Sequence, residues 1–406
     1  MADPARFRIR TRMVARDTGE SNRASSPLEL LFDLTFVVAV AQIATALDRN
    51  IEAGTGLAAI VPFLMVFFAI WWAWMNFTWF ASSYDTDDVP YRLLTLLQMG
   101  GVLVLAAGVP AAFGKGDYFG ITLGYFIMRI GLVTLWVRAA REDPVGRATA
   151  RRYAIGVTIV QLGWIARLLL PVTPENIGFT VYLAFLVLAA LEVSVPPWAE
   201  RTGGVNWHPH HIAERYGLFT IILLGASIAA LADGVEHIIN ASGTSGSLIT
   251  VGVSALVLIF ALWWLYFLQP AGEGLAVHRS RSFLWGYGHY FVFAALAALG
   301  AGLEVVVASA NGRTHLSPVF ASYSVTIPVA VYLVFLWAVH APIAPQLVVR
   351  FGVVLPAAVV VLLLPLAANQ IGMPVVLAMS VVVVVALVVV TFALKRRELR
   401  RSGVAA

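Results

Sequence analysis

The residues of this chain that could do chemistry sit where ionisable groups are costly. Glu29 and Asp33 lie in Ser26-Pro27-Leu28-Glu29-Leu30-Leu31-Phe32-Asp33-Leu34-Thr35-Phe36, the opening of a long apolar run. Their i,i+4 spacing puts both carboxylates on one helix face, where they could carry protons, hold a cation or pair with an arginine. A second apolar run opens on His208-Pro209-His210-His211-Ile212-Ala213-Glu214-Arg215-Tyr216. There His210 and Glu214 are i,i+4, a spacing that suits two metal ligands on one turn. Gln98, Arg129, Glu192 and His289 lie inside further apolar runs. A lone Asp or Arg deep in lipid costs about 2.5–3.5 kcal/mol on insertion scales, so such groups pair or serve a function.

These groups need membrane helices to position them. Of the 406 residues 60% are apolar and 12% charged, against about 25% charged in soluble domains. A span needs about 20 apolar residues, and twelve candidate runs are present. They lie near 27–48, 57–82, 91–113, 117–138, 150–171, 177–198, 211–233, 246–269, 283–308, 317–339, 346–368 and 373–395, the last two separated at Asn369-Gln370-Ile371-Gly372-Met373-Pro374. The fold expected is an all-α, polytopic membrane bundle. It divides into a basic arm (1–26), a first six-helix half (27–198), a connector (199–210), a second six-helix half (211–395) and a basic tail (396–406).

Basic residues give the orientation. The arm holds Arg6, Arg8, Arg10, Arg12, Arg16 and Arg23, the loop after the fourth span Arg138, Arg141, Arg147, Arg151 and Arg152, and the tail Lys395, Arg396, Arg397, Arg400 and Arg401. All fall on one side of a twelve-span chain. Both termini are therefore expected in the cytoplasm of a bacterial cell, with the protein in the inner membrane. The arm has no apolar core, so the first span is expected to act as its own insertion signal. The scattered basic charge reads as topology determinants that touch anionic lipid headgroups, not as a nucleic-acid surface. Cysteine is absent, so redox compartment cannot be read.

At a rise of about 1.5 Å per residue, Asp33 lies about 9 Å in from the cytoplasmic end. Gln98, Arg129, Glu192 and His289 fall at similar depth, while Asn76, Arg92, Glu214 and Arg215 lie nearer the surface. One polar layer in the inner third of the bilayer is expected, with Asp33 pairing Arg129 and with Glu29 or Glu192 competing. Such a layer reads as a substrate or proton site, or as an ion pair that fixes helix packing.

The two halves share landmarks in one order: a charged opening, a tryptophan pair (Trp71-Trp72, Trp263-Trp264) and a small-residue stretch (103–108, 295–300). This suggests a parallel internal repeat. Gly120/Gly124, Gly100/Gly101 and Gly300-Ala301-Gly302 suit close helix packing in lipid. The valine-rich last two helices read as scaffold facing lipid or a second copy in a homo-oligomer. At a membrane interface Trp207 and the histidines are ordinary, and Pro209 suits a helix start; no metal is assigned. Asp85-Thr86-Asp87-Asp88 lacks the glycine and spacing of a calcium loop and reads as a helix-starting loop. No Walker motif, dinucleotide fingerprint or His-Glu-x-x-His occurs. No cofactor is expected and no catalytic residue is assigned.

Pro27-Leu28-Glu29-Leu30-Leu31-Phe32-Asp33-Leu34-Thr35-Phe36-Val37 resembles the opening of the bacterial low temperature requirement A family. The resemblance continues through Trp71-Trp72, Asp85 to Arg92, Arg129 and Arg138 to Asp143. It resumes at His210-His211-Ile212-Ala213-Glu214-Arg215-Tyr216-Gly217-Leu218-Phe219-Thr220 and at Leu262-Trp263-Trp264-Leu265-Tyr266-Phe267. It implies a polytopic inner-membrane protein tied to growth in the cold, and no substrate. Where members of that family usually carry Gly-Glu-Ser this chain has Gly225-Ala226-Ser227, and Gln42 at the corresponding point of the first half is also neutral. Any proton relay then falls to Asp33, Glu29 and Glu192.

The expected function is a secondary transporter or channel for a small solute or ion. Its buried charged site would draw on Glu29, Asp33, Gln98, Arg129, Glu192, Glu214, Arg215 and His289. The alternatives are a non-catalytic membrane sensor or assembly protein, and a lipid-modifying enzyme using His208, His210, His211, Glu214 and Asp85–Asp88. Membrane lipids are the expected surroundings.

Overall fold

A computed structural model describes residues 9–17, 20, 24–170, 179–243, 245–344 and 347–401. Arg6, Arg8 and Arg23 of the arm and the last residues of the tail lie outside that set. The described residues form helices and no strand: α1 (Pro27–Glu52), α2 (Gly56–Ser83), α3 (Val89–Lys115), α4 (Phe119–Glu142), α5 (Arg147–Arg167), α6 (Phe179–Ala199), α7 (Pro209–Ser242), α8 (Gly246–Phe267), the short α9 (Ala271–Val277), α10 (Ser282–Ala310), α11 (Pro318–His340), α12 (Phe351–Leu363), the one-turn α13 (Ala368–Ile371) and α14 (Met373–Arg401). Among them eleven segments are long and apolar enough to cross a membrane, with α12 and α13 counting as one. The twelfth long helix is α5, at 21 residues long enough to span but carrying Arg147, Arg151, Arg152, Gln161 and Arg167. The chain is an all-α polytopic membrane protein.

Local chemistry fixes the helix ends. Ser26 and Glu29 form a reciprocal cap on α1: Glu29 N–H donates to Ser26 Oγ at 3.3 Å, and Ser26 N–H donates to Glu29 Oε2 at 2.8 Å. With Pro27 as the first helical residue, this is the Ser-x-x-Glu start signal. Asp88 caps α3 by accepting from Tyr91 N–H, and Ser245 and Ser317 cap α8 and α11 in the same way. Gly372 (φ 84°) breaks the chain between α13 and α14, at the separation expected from sequence.

Contacts gather the chain into two compact units, Met1–Ile43 with Val61–Arg215 and Ala44–Ile60 with Tyr216–Ala406. In the first unit α3, α4, α5 and α6 pack in succession. Helices α3 and α4 approach so closely that a Cβ at Gly124 would lie 2.5 Å from Gly101 O and one at Gly108 would lie 2.7 Å from Gly120 C. Gly100 faces open space instead. In the second unit α10 packs on α11, and a Cβ at Gly302 would lie 2.1 Å from Ser324 O.

Candidate functional site: two buried arginine networks

In the first unit the openings of α1 and α7 meet. Arg215 is fully buried. Its Nε and Nη2 donate to Asp33 Oδ2 and Oδ1 at 2.9 and 2.6 Å, and its Nη1 donates to Glu29 Oε1 at 2.8 Å. Trp74 Nε1 donates to Asp33 Oδ1 at 2.7 Å, and His211 Nε2 lies 3.2 Å from Glu29 Oε1. Nη2 also reaches Thr78 Oγ1 at 3.4 Å. The i,i+4 pair Glu29/Asp33 thus faces the i,i+4 pair His211/Arg215. Every guanidinium nitrogen has an acceptor, as a buried ion pair needs if it is to offset desolvation.

A second network lies on α2, α4, α5 and α6 of the same unit. Arg129 Nη2 donates to Glu192 Oε2 at 3.0 Å and contacts the Tyr125 hydroxyl. Glu192 also accepts from Trp72 Nε1 (2.6 Å), Tyr125 Oη (3.0 Å) and Trp164 Nε1 (3.0 Å). Both of its oxygens are filled, at the capacity of a carboxylate. Arg129 is not filled: its Nε and Nη1 are buried without a hydrogen-bond partner. A small recess, open on one side, adjoins this network, its wall including Met65, Phe68, Tyr118, Tyr125, Trp164 and Arg167. Tyr125 and Trp164 stand between the recess and Glu192.

The pairing of Asp33 with Arg129 expected from depth is therefore corrected. Asp33 pairs with Arg215, and Arg129 pairs with Glu192. Depth fixes position along the helix axis but not around it, and α1 meets α7 where α4 meets α6. Arg215 also lies further along its helix than the sequence expectation has it. Helix α7 starts at Pro209, so Arg215 is six residues in, as Asp33 is six residues beyond Pro27.

The other candidates stand apart. Gln98 bonds weakly to Leu94 O of its own helix (3.4 Å) beneath Gly131. Glu214 is exposed and accepts from Ser25 N–H at 3.2 Å. Asn76 caps back to Trp72 O, and Arg92 pairs with Asp87 in the open. His289 belongs to the second unit, fully buried against Tyr266 Oη (3.2 Å) and Trp285 O (2.7 Å). The carbonyl only accepts, so in the neutral ring Nδ1 carries the proton and Nε2 accepts from Tyr266. Sequence reading passed over Asp48 in that unit, which lies 8% exposed beside Glu304 with Oδ1 unpartnered.

At the end of the first unit that carries 84–88 and 143–146, the arm is bound to the helices. Asp88 accepts from Arg138 Nη1 and Nη2 at 2.8 and 2.6 Å and from Thr11 N–H at 2.8 Å. Glu142 takes Met13 N–H, Arg10 and Arg138, while Arg16 reaches Asp85. Burial alone would raise the Asp88 pKa, but Arg138 and the N–H groups of Thr11 and Tyr91 outweigh it and hold this carboxyl below the usual carboxylate range. Burial and the Asp143 carboxylate push the Tyr84 phenol up. Among the described residues no group of three histidines or carboxylates is gathered as a metal site would need.

An all-α membrane protein with paired charges inside its helices is the class these features define. Residues 24–393 match the family described as bacterial low temperature requirement A protein (LtrA), and the chain belongs to that family. It is also similar to an uncharacterized protein of Rhizobium meliloti (strain 1021), with 27% identity over 292 residues, 69% of this chain and 68% of that protein.

Proposed function

We propose that this protein is a secondary transporter or channel for a small solute or ion, and that the path runs through the first unit by way of the recess and the Arg129–Glu192 pair. The observation that carries this reading is the contrast in saturation. A structural ion pair would be expected to fill both partners, yet Arg129 keeps Nε and Nη1 open beside a recess walled by two of the side chains that hold Glu192. Intramembrane ionisable groups of this kind mark substrate and ion pathways.

The basic residues Arg138, Arg141, Arg147, Arg151 and Arg152 cluster at the end that carries 143–146, which supports a cytoplasmic placement of that end and of both termini in the bacterial inner membrane. The recess, flanked by Tyr118 and Arg167, then opens toward the outer side. The groups of the lipid-enzyme alternative are engaged elsewhere: His211 with Glu29, Asp88 with Arg138 and Asp85 with Arg16. The saturated Arg215 network fits a scaffold, and a sensor or assembly role would rest on it.

The test is flux in vesicles reconstituted with purified protein, read with a pH dye and with radiolabelled ions and small carboxylates. Flux above that of protein-free vesicles is expected. Ala69→Phe, which fills the recess, should abolish it while the folded yield stays normal. Flux equal to that of empty vesicles across protons, monovalent ions and carboxylates would overturn transport in favour of the sensor or assembly role.

A further inference from the structure

We infer that the recess of the first unit is a binding site for a small organic carboxylate with an apolar body, and that the Arg167 guanidinium is its anchor. Arg167 is 8% exposed, and its Nε and Nη2 are buried with no hydrogen-bond partner. It lines the recess. Its cation sits 4.8 Å over the Tyr118 ring and 5.8 Å over that of Phe185, with Trp164 at 6.0 Å. The rings hold the guanidinium by cation–π attraction, so the fork is fixed in place before any anion arrives. Unpaired buried charge is costly, and nothing in the protein's own packing accounts for leaving this one open.

The same molecule indicates what that edge of a guanidinium takes. In Arg215, Nε and Nη2 grip the two oxygens of Asp33 side-on at 2.9 and 2.6 Å. Arg167 offers the same two nitrogens with no carboxylate attached. A planar fork of this kind selects carboxylate or phosphate over a point charge. The rest of the wall decides between those two. Met65, Phe68, Ile121 and Phe185 are apolar, and the hydrogen-bonding groups beside Arg167 are few: the hydroxyls of Tyr118, Thr122 and Tyr125 and the Trp164 indole. A phosphate would leave most of its oxygens facing hydrocarbon, whereas a carboxylate on an aromatic or short aliphatic body leaves none.

This assignment deepens the transport reading by naming its substrate class, and it rests on that reading for its physiological sense. Binding is tested without flux, so the two can fail separately. The probe is benzoate, added to delipidated full-length protein in maltoside detergent, with thermal unfolding as the readout. Benzoate should raise Tm in a saturable way, beyond any effect of chloride or phosphate at equal ionic strength. Arg167→Gln should melt close to the native chain without benzoate, because its cation gives up ring contacts but no carboxylate partner. It should bind benzoate at least about tenfold more weakly, the cost of one charge-assisted hydrogen bond. Arg167→Lys, which keeps the charge without the fork, should fall between. Arg313→Gln, an equal loss of charge on an exposed loop, should respond as the native chain does.

A benzoate shift that survives Arg167→Gln, or one no larger than that of chloride, overturns the assignment. So does an Arg167-dependent shift on adding anionic phospholipid that blocks benzoate, which would make a headgroup phosphate the occupant. Benzoate binding without vesicle flux would keep the site and remove transport. Flux without benzoate binding would keep transport and remove this substrate class.

Discussion

Two of the arginines inside the first unit, Arg215 and Arg129, are used in opposite ways. Arg215 has every acceptor it needs: two acids and a threonine hydroxyl take its hydrogen bonds, and His211 holds one of those acids from the other side. Arg129 has less: one carboxylate, itself filled by three other donors, and two nitrogens left over. The first arrangement closes on itself. It ties α1 to α7, takes in Trp74 and Thr78 from α2, and leaves no guanidinium nitrogen without an acceptor. The second is incomplete and borders a recess. Cost explains why the difference matters. A buried charge is tolerated when all its bonds are met, so an unmet one is retained for something that comes and goes. A saturated pair is an anchor, and an unsaturated pair beside a cavity is a candidate for binding.

The sharpest way to break this contrast is to remove each cation in turn. Arg215→Leu leaves Glu29 and Asp33 facing one another without a cation, the case in which unpairing a buried bridge costs about 3–5 kcal/mol. Little folded protein should survive extraction into detergent. A variant that melts near the native temperature would strip the network of its anchoring role. Arg129→Gln should cost less, about 3 kcal/mol at the low end of that range, because Trp72, Tyr125 and Trp164 continue to bond Glu192. Folded protein should be recovered, with its Tm below native but above that of Arg215→Leu, and with flux lost. Should Arg129→Gln prove the more damaging to folding, the assignment of anchor and working site is reversed.

How far the sequence reaches is visible in these same residues. The spans follow from apolar runs of the right length, and the turn at Gly372 from a loop signal. Cost per charge indicates that Asp33 and Arg129 must each find a partner, and the helical rise per residue gives their depth. It does not give azimuth, so two pairs at one level were joined across the wrong helices. Glu29 carried a clue that went unused: Ser26-Pro27-Leu28-Glu29 is a capping pattern, which engages one of its oxygens at the helix start. Arg167 ends a mostly apolar helix, where an arginine whose head escapes to the interface is ordinary. Only packing reveals that three rings hold it inside. Arg10, Arg12 and Arg16 read as topology charge, yet they bind Glu142, its carbonyl and Asp85. Long-range partners of residues outside any helix leave no periodic trace.

A third ion pair, Asp88 with Arg138, sharpens the comparison because it lies at a helix end rather than inside a span and is both saturated and titratable. Asp88→Asn keeps the N-cap, since asparagine caps as well as aspartate does, but gives up the charge. The loss should be about 1.5 kcal/mol, the low end for hydrogen bonds to charged groups. The sign of the pH effect follows from the depressed pKa of Asp88 in the folded chain. Between that value and the ordinary one near about 4, the unfolded chain binds a proton that the folded chain does not. Stability from this pair is therefore complete above the ordinary carboxylate range. It is lost as the pH falls through that range to the depressed folded value. The Tm gap between native protein and Asp88→Asn should be constant at neutral pH and close on acidification. A gap that widens in acid would mean that Asp88 is held protonated, and the arm would then be docked by something other than charge.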